Sequence, residues 1–163
     1  MKKIIYFSIS LILFTYLTAC ADYKPIYTSQ NLQFEITDYS ISGDEKLAKN
    51  IYSRLYNLSK SNKNSSNSES LNISIEVEKD KKATVKSSTG KILEYKITLI
   101  TKIEIKDYIN NNTILNHNFT SFSSYKVQDQ YSETLKLENK ALENLLNKTF
   151  QDLIIQMSGM MLK

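Results

Sequence analysis

Residues 71–78 read LNISIEVE and residues 93–106 read LEYKITLITKIEIK. In the first stretch Leu71, Ile73, Ile75 and Val77 alternate with Asn72, Ser74, Glu76 and Glu78. In the second, Leu93, Tyr95, Ile97, Leu99, Thr101, Ile103 and Ile105 fall on one side. Glu94, Lys96, Thr98, Lys102, Glu104 and Lys106 fall on the other, with Ile100 among them. Successive side chains of a strand point to opposite faces, so a period of two predicts two long strands, each apolar on one face only.

The flanking sequence supplies the cover that such strands need. Upstream, Leu32, Phe34 and Ile36 alternate with polar residues, and Tyr39 and Ile41 shift the phase by one, which predicts a strand with a bulge near Asp38. Ser42-Gly43-Asp44-Glu45 reads as a helix start, with Ser42 and Glu45 at capping-box spacing. Leu47, Ile51, Leu55 and Leu58 then make one apolar stripe over about 44–60. Residues 59–70 (SKSNKNSSNSES) are a polar loop, and residues 79–91 (KDKKATVKSSTGK) read as a basic turn. Residues 107–112 make another turn, and a weaker strand comes next over about 113–125. A helix is predicted over about 130–157, with Leu135, Leu142, Leu145, Leu146, Phe150, Leu153, Ile154 and Met157 on its apolar face and Ser158-Gly159 as its C-cap. The order is β-α-β-β-β-α. It predicts a two-layer α+β sandwich: a four-stranded, mainly antiparallel sheet with two helices on one face, forming a single domain over residues 31–163.

Composition removes most catalytic chemistries. The 163 residues hold 3 Gly, 1 Cys and 1 His. Gly43, Gly90 and Gly159 stand apart, so no glycine-rich phosphate loop exists. One Cys and one His make neither a disulfide framework nor a Cys/His metal site. An enzyme would need His117 as its base, yet His117 alternates with Leu115 and Phe119 on one strand face, the pattern of a structural or surface histidine. Glu76 and Glu78 share a face opposite an Ile/Val row, where charged residues are ordinarily solvated. No catalytic residue, metal or cofactor is expected.

The N-terminus reads as an address. Lys2 and Lys3 precede an apolar run from Ile4 to Ala19, 16 residues against the roughly 20 of a spanning helix. The run ends in Leu17-Thr18-Ala19-Cys20, which resembles the bacterial lipobox. Small residues let the backbone enter the signal peptidase, and the thiol takes up a diacylglyceryl group. Residues 1–19 are thus expected to be a lipoprotein signal peptide and residues 20–30 a tether behind a Cys20 carrying diacylglyceryl and N-acyl lipid. Two or more acyl chains hold a protein stably on a bilayer. The mature chain would have 144 residues with 19 cations against 17 anions. That near-neutral charge and the exported location argue against nucleic acid as a partner. Ala21 rather than Asp after the cysteine favours the outer membrane, on its periplasmic side.

Tyr23-Lys24-Pro25-Ile26-Tyr27 soon after Cys20 is similar to the aromatic-x-Pro-aliphatic-Tyr segment that opens proteins of the LPS-assembly lipoprotein family LptE. The element order, Tyr95 within an Ile/Leu alternation and a closing Leu-rich helix also resemble that family. Ala21 where Gly is frequent, and a last helix rich in Leu, Asn and Lys rather than Ala, depart from it. The resemblance implies a non-enzymatic outer-membrane lipoprotein that plugs the LptD barrel, assists its assembly and contacts lipopolysaccharide. It also directs attention to the basic turn. Lys79, Lys81, Lys82, Lys86 and Lys91, with only Asp80 to offset them, could meet the anionic groups of lipopolysaccharide, or form a solvated, lysine-rich turn; replacing Lys81 and Lys82 with Glu is expected to leave folding intact. A second reading is an accessory lipoprotein of another lipid-transport system, such as those accompanying ABC exporters.

Overall fold

A computed structural model describes residues 32–61 and 68–161. The expected signal peptide over residues 1–19, Cys20 and the expected tether over residues 20–30 lie outside the described residues. The six elements, in chain order, are β1 (Phe34–Gly43), α1 (Glu45–Ser61), β2 (Glu69–Lys86), β3 (Ile92–Asp107), β4 (Thr113–Lys126) and α2 (Tyr131–Met161). The strands form one sheet in the order β1-β2-β3-β4. β1 and β2 run parallel, joined across α1, while β2, β3 and β4 form an antiparallel meander. The expected α+β sandwich and its element order are found.

The alternation that predicted the sheet also builds the core. Leu71, Ile73, Ile75 and Val77 of β2 and Ile97, Leu99, Ile103 and Ile105 of β3 are fully buried, and all face the helices. From α1 they meet Leu47, Ala48, Ile51 and Leu55; from α2, Ala141, Leu145, Leu146, Leu153, Ile154 and Met157. The anticipated bulge in β1 falls between Ile36 and Asp38. Beyond it Tyr39 stacks on Tyr52 of α1, with ring centroids 4.1 Å apart. Arg54, the chain's one arginine, ties the two helices together: its guanidinium donates to Asn147 Oδ1 at 2.7 Å and lies over Phe150.

Three local features differ from the sequence reading. The N-cap of α1 is Asp44, whose Oδ1 accepts from Leu47 N–H at 3.2 Å; the Ser42/Glu45 capping box is not the one used. Asp44 takes that place because Gly43, at φ 76°, turns the chain out of the sheet one residue later than a Ser42 cap requires. Gly159 does not cap α2, which continues to Met161. Ser158 instead bonds back to the Ile154 carbonyl at 2.8 Å inside the helix, so both residues continue it. Residues 79–86 are not a turn. β2 runs on to Lys86, and the connection shrinks to Ser87–Lys91, closed by Ser87 N–H to Lys91 O at 2.8 Å and Gly90 N–H to Ser87 O at 3.0 Å.

The extended β2 has a physical cause. β1 pairs with β2 only as far as Gly43 opposite Val77, and α1 starts immediately afterwards. Past Val77, β2 keeps its pairing with β3 but has no outer neighbour among the described residues. With nothing like α1 above them, its helix-side positions become Lys79, Lys81 and Ala83. The apolar alternation ends because the cover ends, and the strand continues.

Substitutions on adjacent β2 residues should report this one-sided sheet. Ile75→Asp places an unpaired charge in the core and is expected to cost at least about 3 kcal/mol in urea denaturation. Ser74→Asp, on the open face across from Glu104, should cost at most about 1 kcal/mol.

Candidate functional site

The candidate region is the far end of the β2–β3 hairpin together with the sheet face that no helix covers. Register sorts the five singled-out lysines. Lys79 and Lys81 lie on the helix side, opposite Leu99 and Ile97, while Lys82 lies on the open face opposite Lys96. Lys86 ends β2, and Lys91 sits beyond the tight turn, 3.6 Å from Asp129. The structure therefore does not bring them together as one cluster.

Lys81 has become part of the fold. Its ammonium lies 2.6 Å from Glu138 Oε2 of α2 and 4.4 Å from the centroid of the Tyr95 ring. The Tyr125 hydroxyl donates to the same Glu138 oxygen at 2.9 Å. Tyr95 and Tyr125 are cross-strand partners whose rings stand 5.9 Å apart, so the lysine stem lies across an aromatic pair and its head meets the helix. Burial works against the charge on Lys81, but hydrogen bonds to Glu138 and Tyr125 outweigh it and hold the ammonium above its ordinary range. Burial likewise opposes the charge on Glu138, yet bonds from Lys81 and Tyr125 keep its carboxyl below the ordinary value. Burial raises Tyr125, keeping it a neutral donor. Lys82, by contrast, pairs on the surface with Asp80 at 2.8 Å, both side chains at least half exposed. Lys81 and Lys82 are therefore not interchangeable, contrary to the expectation from sequence, because one anchors a strand to a helix and the other does not.

The open face is a polar grid with a small apolar centre. Across β2, β3 and β4 its rows are Ser74-Glu104-Asn116, Glu76-Lys102-Asn118, Glu78-Ile100-Thr120 and Asp80-Thr98-Phe122. Phe122 is 66% exposed, and the Lys96 ammonium lies 4.2 Å over its ring. Glu76 and Glu78 thus face Lys102 and Ile100, an ordinary solvated arrangement. His117 is exposed at the rim of a groove between β4 and α2 that Thr149, Asp152 and Gln156 also line; its ring stands edge-on to Phe119 at 4.6 Å. Among the described residues no group of three or more His, Cys, Asp or Glu is placed to hold a metal, and no helix is long and apolar enough to cross a membrane.

The sequence matches no family model and no curated protein. In fold the chain is similar to an uncharacterized lipoprotein B from Nitrosomonas europaea, at 16% identity and TM-score 0.55, covering 82% of this chain and 88% of that one. It is also similar to a minor lipoprotein from Acinetobacter baumannii, at 15% identity and TM-score 0.52, covering 77% and 93%. At these identities the likeness is one of fold.

The Lys81–Glu138–Tyr125 cluster carries a prediction. Lys81→Met should destabilise by about 1–2 kcal/mol, because Glu138 loses its charged partner. Lys82→Met should stay within about 0.5 kcal/mol. Because the folded-state pKa of Glu138 is lowered, its contribution is complete above the ordinary glutamate value of 4.5 and disappears as pH falls through the lower folded value. Urea melts between neutral pH and pH 3 should show that loss in the wild type and a smaller one in Glu138→Gln.

Proposed function

We propose that this chain is a lipoprotein of the LptE type, anchored through Cys20 to the periplasmic side of the outer membrane. There it would plug the LptD barrel, assist its assembly and take part in lipopolysaccharide transport. The observation that carries the reading is Leu17-Thr18-Ala19-Cys20, followed by Tyr23-Lys24-Pro25-Ile26-Tyr27, at the head of a fold shared with bacterial proteins called lipoproteins. Diacylglyceryl on the Cys20 thiol, cleavage after Ala19 and acylation of the freed amino group would supply the anchor. The protein's part is structural and binding rather than catalytic.

Two surfaces support this reading. The open sheet face carries short Ser, Thr and Asn side chains and neutralised charges, which suit the wet wall of a barrel lumen. The hairpin arm carries Lys79, Lys82, Lys86 and Lys91 where phosphates and carboxylates of a lipid headgroup could meet them as point charges. Lys81 is excepted, since its charge is already engaged by Glu138.

Intact mass of the membrane-extracted protein should show loss of residues 1–19 and added acyl mass on Cys20, and a large β-barrel should copurify. An unmodified Met1 start overturns the anchor, and ABC-exporter components in place of a barrel overturn the LptE reading. Lys82→Glu/Lys86→Glu should weaken lipopolysaccharide binding several-fold while the melting curve stays in place, and wild-type binding should fall with added salt. Binding equal to wild type would remove the arm from the lipid contact.

A further inference from the structure

The chain enters the sheet beside a turn that is built to hold two apolar side chains out in water. Residues 107–112 (Asp-Tyr-Ile-Asn-Asn-Asn) join β3 to β4. Asp107 Oδ1 accepts from Ile109 N–H at 2.8 Å and Asn110 N–H at 3.2 Å, and Asn110 Nδ2 donates to Asp107 Oδ2 at 3.0 Å. Asn110 Oδ1 in turn accepts from Asn112 N–H at 2.9 Å, and Asn111 adopts the left-handed conformation at φ 57°. Asp107 and Asn110 are thus turned back to fix the backbone. The apolar pair points out instead: Ile109 is 85% exposed and Tyr108 53%. A β-branched residue at the tip of a polar, hydrogen-bonded turn has no folding reason to be there.

Its position in the molecule supplies one. Glu69 N–H bonds to Gln33 O at the start of β1, and Tyr108 N–H bonds to Ser70 O on the other side of β2. The turn therefore stands two strand spacings, roughly 10 Å, from the point where the chain arrives at Leu32. α2 runs antiparallel to β4, since Ala141 lies by Tyr125 whereas Ile155 and Gln156 lie by His117. It therefore ends on the same side of the domain, with Met160 exposed. The hairpin turn at Ser87–Lys91 lies at the opposite end, about 50 Å along β2. Only 12 residues separate the lipobox cysteine from Leu32, counting Cys20 itself, and they can span at most about 40 Å.

We propose that, before it is seated in a barrel, this end of the domain makes a second membrane contact, in which Tyr108 and Ile109, with Met160, enter the interfacial layer of a bilayer while the hairpin arm points away from it. The inference rests on the lipid anchor at Cys20, which brings this end to the surface. An aromatic with a polar tip beside an aliphatic side chain suits the headgroup boundary, where one part is buried and the other stays wet. The contact is weak alone and gains from the anchor, because the second binding event becomes intramolecular. Its effect is orientation: one lipid attachment leaves the domain free to tumble, and a second contact fixes which end faces away.

The test uses the full lipidated chain on vesicles of phosphatidylethanolamine and phosphatidylglycerol, with and without nitroxide-labelled lipid. Cys20 is the only cysteine and is blocked by its lipid, so a fluorophore can be placed singly at Ile109→Cys, Met160→Cys or, as the far-end control, Thr89→Cys. Nitroxide lipid should quench the probes at positions 109 and 160 at least threefold more than the probe at 89. Equal quenching at all three positions in a chain that floats with the vesicles overturns the second contact and leaves the anchor standing. A chain that fails to float and keeps a free Cys20 thiol overturns the anchor, and this inference with it.

Discussion

The carbonyl of Val77 leaves no room for a side chain at residue 43. A Cβ there would lie 2.2 Å from that oxygen, and the Asp44 N–H already bonds to it at 2.7 Å. Gly43, with φ 76°, is the residue that lets β1 stop beside Val77 and turn the chain out of the sheet. Asp44 then caps α1, and α1 covers only the part of the sheet that β1 flanks. The character of the rest of β2 depends on this exit. From residue 78 onward the strand has β3 on one side and no other strand beside it among the described residues, and its inward positions pass from Ile and Val to Lys. Lysines along an unpaired edge also discourage another strand from adding to it.

The dependence explains which parts of the fold were legible in the sequence. Where two layers are complete, period-two alternation located β2 and β3, and the stripe of Leu47, Ile51 and Leu55 located α1. The phase slip at Tyr39 located the bulge. Where a layer is missing, pattern reading failed, because hydrophobicity reports burial and not backbone conformation. KDKKATVK looked like a turn since its inward positions are lysines, although Val85 within it and the continuing strand period were available as signals. Of the site, the residue types were legible and their partners were not. Lys81 and Lys82 are indistinguishable as neighbours in sequence. Only the register to Ile97 and the approach of Glu138, 57 residues away, separates a fold contact from a surface charge. The significance of Tyr108 and Ile109 was also hidden, because it lies in the distance from the turn to the chain entry.

Charge is consequently sorted by place. On the helix side one ammonium is absorbed into an aromatic and carboxylate nest, and it sews the far end of β2 to α2 at the level where α1 no longer reaches. On the open side Glu76 and Lys102 face each other across the strands, Asp80 pairs with Lys82, and Lys96 covers Phe122. A partner approaching this face would meet matched charges around a small centre of Ile100 and Phe122, a surface that favours shape and hydrogen bonding over electrostatic steering.

The parallel pairing of β1 with β2 also sets an order in time. β2, β3 and β4 are joined by short turns, so their hydrogen bonds close small loops, whereas Phe34 must find Glu69 across 35 residues of chain. Loop entropy is lost before distant contacts compensate it, so the meander and α2 can assemble while β1 and α1 are still searching. In that interval the edge from Leu71 to Val77 is bare, and it carries Leu71, Ile73, Ile75 and Val77. β1, made before the strands it pairs with, is then the last to dock, and the half-built sheet is the species open to pairing with its own copies.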